Sequence, residues 1–135
     1  MKKVKKIIAL CSICAITVIS TSTSVLAADS WAGFEDVTIG LSFGTLGRAS
    51  FYTTVIPSKS TYYSKITMKL QRYSGGKWKT LTSGTYGDSG VNMYGRYYYV
   101  TKGYTYRVYS TVTIYKKKGG AKVNSDTFIY KRKYK

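Results

Sequence analysis

From Val37 to the end of the chain, apolar and polar side chains trade places at almost every second residue. Only a β-strand turns that rhythm into one buried face and one wet face. Val37, Ile39, Leu41 and Phe43 make a first run, and the glycines of 44–47 turn the chain. Ala49, Phe51, Thr53 and Val55 make a second, which Pro57 and the polar residues after it stop. In a third run Ser64, Ile66, Met68 and Leu70 share one face, with Lys65, Lys69 and Gln71 on the other. Ser74-Gly75-Gly76-Lys77 reads as a hairpin turn, because glycine supplies the positive φ such turns need. The returning strand is expected over 78–82. The segment 83–90, with three glycines, is expected to be a loop.

A fifth strand is predicted over 91–100 and a sixth over 104–115, where Tyr106, Val108, Val112 and Ile114 fall on one side. Lys118-Gly119-Gly120 is a second hairpin turn. Ala121, Val123, Ser125, Thr127 and Ile129 alternate in a seventh strand, but Phe128 and Tyr130 occupy the other face, so the pattern leaves its buried side open. No helical period of useful length occurs after the first 27 residues. Seven short strands with regular turns predict an all-β, antiparallel two-sheet sandwich.

The stretch Val100-Thr101-Lys102-Gly103-Tyr104-Thr105-Tyr106-Arg107-Val108 resembles the approach to strand F in fibronectin type III and related immunoglobulin-like domains. The resemblance implies that Tyr106 forms a tyrosine corner, with Val100 as its apolar partner. The usual proline of that motif is Lys102 here. The usual core Trp of the second strand is absent, with Phe51 and Tyr52 in that region. Such sandwiches carry many unrelated functions, so the resemblance implies a fold and no activity.

The start of the chain has a different character. Lys2, Lys3, Lys5 and Lys6 precede the apolar stretch 7–18, and Val25-Leu26-Ala27 supplies small residues where a signal peptidase cuts. This is the layout of a cleaved secretory signal over 1–27, followed by a flexible leader 28–36, a sandwich domain 37–131 and a basic tail 132–135. Both cysteines, Cys11 and Cys14, lie within the signal, so the exported part has no disulfide framework. Export predicts a secreted, extracellular protein, with the cell wall as one place for it to reside.

Four of the 22 Lys and Arg residues fall in the signal, leaving 18 against all five acids and a net charge of +13. The stretch 102–135 holds ten basic residues against Asp126 alone. A field of that sign draws polyanions. The candidate anion-binding residues are Arg96, the run Lys116, Lys117 and Lys118, and the run Lys131, Arg132 and Lys133. Alternation sends Tyr94 and Tyr98 to one face and Tyr97 and Tyr99 to the other, which makes Tyr97 and Tyr99 a candidate aromatic face. Exposed aromatics beside cations can stack on sugars or bases while the cations hold phosphate.

Catalysis is not expected. The chain has no His, which removes the commonest general base and metal ligand. Ser89 in Gly87-Asp88-Ser89-Gly90 therefore has no His to take its proton. Glu35 and Asp36 are adjacent, and a strand points them to opposite faces. Five scattered acids make no calcium site, and no phosphate-binding glycine loop is present, so no cofactor or metal is expected. The sequence thus reads as a non-catalytic adhesion module whose partner is an anionic cell-wall polymer or a membrane surface. A secreted antimicrobial or membrane-active protein, and a self-associating matrix protein, are the alternatives. In plan the chain is similar to small single-domain exported proteins of Gram-positive bacteria. Mass spectrometry of the exported protein is expected to find Ala28 as its first residue; retention of 1–27 would overturn the signal assignment.

Overall fold

The computed structural model describes residues 31–135. The segment 1–27, read above as a secretory signal, lies outside the described residues. Seven strands follow in order: β1 (Phe34–Phe43), β2 (Arg48–Pro57), β3 (Tyr63–Ser74), β4 (Lys77–Ser89), β5 (Asn92–Tyr99), β6 (Thr105–Tyr115) and β7 (Lys122–Lys133). They form a three-stranded sheet, β1-β2-β5, and a four-stranded sheet, β4-β3-β6-β7. Every pairing is antiparallel. The fold is the expected two-sheet sandwich.

Alternation decides which side of each strand is buried. Val37 and Leu41 of β1, Ala49, Phe51 and Val55 of β2, and Ile66, Met68 and Leu70 of β3 turn inward. Tyr106, Val108, Val112 and Ile114 of β6 meet them from the facing sheet. On β7 the buried side is that of Phe128, at 2% exposure, while Ile129 faces solvent. Phe128 wins because it packs into a ring cluster with Phe34 and Trp31, at centroid distances of 5.7 and 6.1 Å.

The described residues contain no cysteine, and polar ties assist the core in joining the sheets. The Thr53 hydroxyl of β2 donates to the Ser110 hydroxyl of β6 at 2.9 Å, both fully buried. Asn92 of β5 donates through Nδ2 to the Ser64 carbonyl and hydroxyl of β3, each at 3.0 Å. These donors thus find partners in place of water. Tyr106 behaves as a corner: its hydroxyl donates to the Thr101 carbonyl at 2.6 Å and accepts from the Thr101 amide at 3.1 Å. That pair fixes the crossing of residues 100–104 from one sheet to the other.

Three expectations change. Residues 83–89 belong to β4 and are not a loop. Gly84 and Gly87 are strand glycines over which neighbouring tyrosines lie, and a Cβ there would overlap the hydroxyls of Tyr94 and Tyr63. Pairing begins at Phe34, inside the stretch read as leader, because Phe34 is a core ring. Strand β7 runs through Lys133, and Tyr134 stacks on Phe43 at 4.5 Å, so the basic tail is built into the sandwich.

Two outcomes follow from this packing. Tyr106→Phe should lower stability by about 1–3 kcal/mol, the range for stranding a buried hydrogen-bond partner, read as a lower urea midpoint at unchanged slope. Asp126, registered opposite buried Val112, is pushed above its ordinary pKa by burial, while the Thr127 amide at 2.8 Å pulls it back down. The folded state then holds this proton more tightly than the unfolded chain. The contribution of Asp126 favours folding below the ordinary aspartate value of ~3.9 and is lost as pH rises through the folded value. Asp126→Asn should therefore be more stable than the parent at neutral pH, with the gap closing in acid, by thermal melts across pH.

Candidate functional site

The register places the cations very unevenly. At one end of the sandwich lie the turn 44–47, the hairpin turn between β3 and β4, the crossing 100–104 and the end of β7. Arg72, Lys77 and Lys79 reach that end from β3 and β4, and Arg107 from β6. Lys131, Arg132 and Lys133 join them on β7, with Arg48 and Lys102 on the neighbouring turns. The described acids lie elsewhere: Glu35 and Asp36 begin β1 at the far end, Asp88 pairs with Ser64 at the start of β3, and Asp126 pairs with Val112. Among the described residues this end has no acidic side chain, so its positive potential is uncompensated.

The outer face of the four-stranded sheet ends in a groove of about 390 Å³ at this place, lined by Tyr73, Trp78, Thr105, Lys131, Arg132 and Lys133. Tyr73 and Trp78 are direct cross-strand partners flanking the hairpin turn, with rings 5.1 Å apart and tilted at 59°. Across the groove, Lys131 is registered opposite Arg107 and Lys133 opposite Thr105. Arg107 lies over Trp78 at 4.2 Å and Tyr109 at 5.2 Å. Its Nε donates to Gln71 Oε1 at 2.7 Å, and Gln71 Nε2 donates to the Thr80 hydroxyl at 3.0 Å. Gln71 is buried, so the guanidinium is aimed by a rigid neighbour. Burial lowers the pKa of Arg107, and Tyr109 pulls it the other way. The guanidinium still stays charged at neutral pH.

The sequence-derived candidates divide. Lys131 and Lys133 line the groove. Arg132 also borders the groove, but its guanidinium reaches to the other side of β7 and donates through Nη1 to the Leu41 carbonyl at 3.1 Å, tying β7 to β1. Lys116, Lys117 and Lys118 form the turn after β6, at its opposite end. Ten strand steps at ~3.4 Å each put them roughly 30 Å from the groove. The two basic runs therefore make separate patches. Arg96 is turned inward and donates through Nη1 to the Ser83 carbonyl at 2.6 Å, which closes the β4–β5 side of the sandwich.

Tyr97 and Tyr99 are exposed, at 56% and 60%, on the outer face of the three-stranded sheet. Arg48 lies over Tyr97 at 4.2 Å, and the two tyrosine rings meet edge-on at 6.2 Å. This aromatic strip faces away from the groove, on the opposite sheet. Sequence reasoning missed Tyr73, Trp78 and Arg107. The first two carried a usable signal, since a tight turn at 74–77 makes its flanking residues cross-strand neighbours.

Among the described residues no group of three or more His, Cys, Asp and Glu side chains converges as a metal-binding set. No protein-family model matches the chain, and no curated protein matches its sequence.

Proposed function

We propose that the protein is a secreted, non-catalytic adhesion module that holds to anionic polymers of the cell envelope. The observation that carries this reading is the one-ended field: a cluster of Lys and Arg, without a described acid among them, around an open groove. Such an end attracts a polyanion at long range and releases counterions on contact. The lack of His in the whole chain and the dispersal of its acids support binding over bond-making.

Within that reading the sandwich is of the fibronectin type III kind. In its favour, β4 lies beside β3, away from the sheet of β1, β2 and β5. The constant-type immunoglobulin arrangement instead puts the fourth strand with the first, second and fifth. Tyr106 fills the corner position, and Val108, two residues later, stands where antibody domains carry their second cysteine.

The test is binding of the purified protein to isolated cell walls between about 0.05 and 0.5 M salt, where screening shortens from over ~10 Å to a few Å. Affinity should fall steeply across that range. Each cation near an anionic surface is worth ~1 kcal/mol, so Lys131→Gln/Lys133→Gln is expected to weaken binding roughly tenfold or more. Neutralising Lys116, Lys117 and Lys118 should cost less per charge. Binding indifferent to salt would overturn the proposal.

A further inference from the structure

The groove contains more than charge attraction needs. A site for bare phosphate would be served by Lys131, Lys133 and Arg107 alone. Here an aromatic couple faces the lysines, and Tyr73 keeps 47% of its surface in water. A half-exposed ring couple offers a flat apolar surface that a ligand can cover. The couple is also braced: Arg107 covers one face of Trp78, and Gln71 and Thr80 hold Arg107 in place.

We propose that this groove binds one sugar ring of a phosphate-bearing glycan, the ring resting on Tyr73 and Trp78 and its phosphate lying between Lys131 and Lys133. The proposal rests on the adhesion reading and names the ligand of that site. The hydrogen-rich face of a pyranose meets the π surface, while the ammonium groups, on the far wall, reach the adjoining phosphate as point charges. The open groove, about 390 Å³, has room for one sugar ring. A run of nucleotides is disfavoured because it requires successive stacking platforms along one positive track. The exposed rings of Tyr97 and Tyr99 lie on the opposite sheet.

The test compares three probes on the purified protein: a hexose-phosphate polymer, inorganic polyphosphate and an oligothymidylate. Trp78→Ala should weaken the hexose-phosphate polymer about tenfold, the scale of one aromatic stacking contact, and leave polyphosphate within about twofold. Trp78→Phe should restore most of the loss, and urea unfolding checks that each variant folds. Lys131→Gln/Lys133→Gln should weaken all three probes. Equal Trp78 dependence on the polymer and on polyphosphate would overturn the sugar contact, as would none on either. The largest Trp78 dependence on the oligothymidylate would make the site a nucleic-acid one. If no probe binds in a salt-dependent manner, the adhesion reading itself fails, an outcome distinct from losing only the ring contact.

Discussion

The Tyr106 hydroxyl, held between the carbonyl and the amide of Thr101, fastens the crossing from the three-stranded sheet to the four-stranded one. The position of β6 depends on that crossing, and β6 is the central reference of its sheet. It pairs with β3 on one side and β7 on the other. A one-residue slip of β6 would turn Val108, Val112 and Ile114 outward and Arg107 inward. The core and the basic groove are thus set by the same register. The C-terminal segment is pinned to the same crossing, since Gly103 donates to the Tyr134 carbonyl at 2.7 Å and Tyr134 donates to the Tyr104 carbonyl at 3.0 Å.

With no cysteine among the described residues, the burden of joining the sheets falls on packing and internal hydrogen bonds. The Thr53–Ser110 bond runs between β2 and β6, the strand pair that immunoglobulin domains join with a disulfide. It contributes far less than a covalent link, since a typical internal hydrogen bond nets about 1 kcal/mol against the ~2–4 kcal/mol of a disulfide. The deficit is met by distributing ties along both open sides. Arg96 to Ser83 closes one side, and Arg132 to Leu41, with the Phe43–Tyr134 stack, closes the other. Two of the cations read as anion-binding groups therefore also serve the scaffold, each giving one guanidinium nitrogen to a backbone carbonyl.

Period-two patterning made the strands legible, and Pro57 and the Gly-Gly turns marked most of their ends. The corner at Tyr106 was legible because it is local, its partner lying five residues upstream. The strand character of 83–89 was hidden, because Gly84 and Gly87 carry the composition of a turn. What keeps them in a strand is the covering tyrosines, Tyr63 and Tyr94, and these come from β3 and β5. The groove was half legible for a related reason. Its lysines announce themselves as a run, and its aromatic couple follows from one hairpin. That these meet depends on β6 lying between β3 and β7, a fact of sheet order that no local pattern contains.

Crowding so many cations at one end costs stability through mutual repulsion, and solubility alone does not require it, since the same net charge spread evenly would serve. The arrangement softens the cost where it can. Arg107 lies over Trp78 and Tyr109, Arg72 over Tyr104 at 4.5 Å, and Arg48 over Tyr97 at 4.2 Å. Ring faces offer partial negative charge without the full neutralisation an acid would bring. The end therefore remains strongly positive while its guanidinium groups are held in fixed positions. Carboxylates in the same places would have erased the field. That choice of partner, aromatic in place of acidic, holds the guanidinium groups without cancelling their charge.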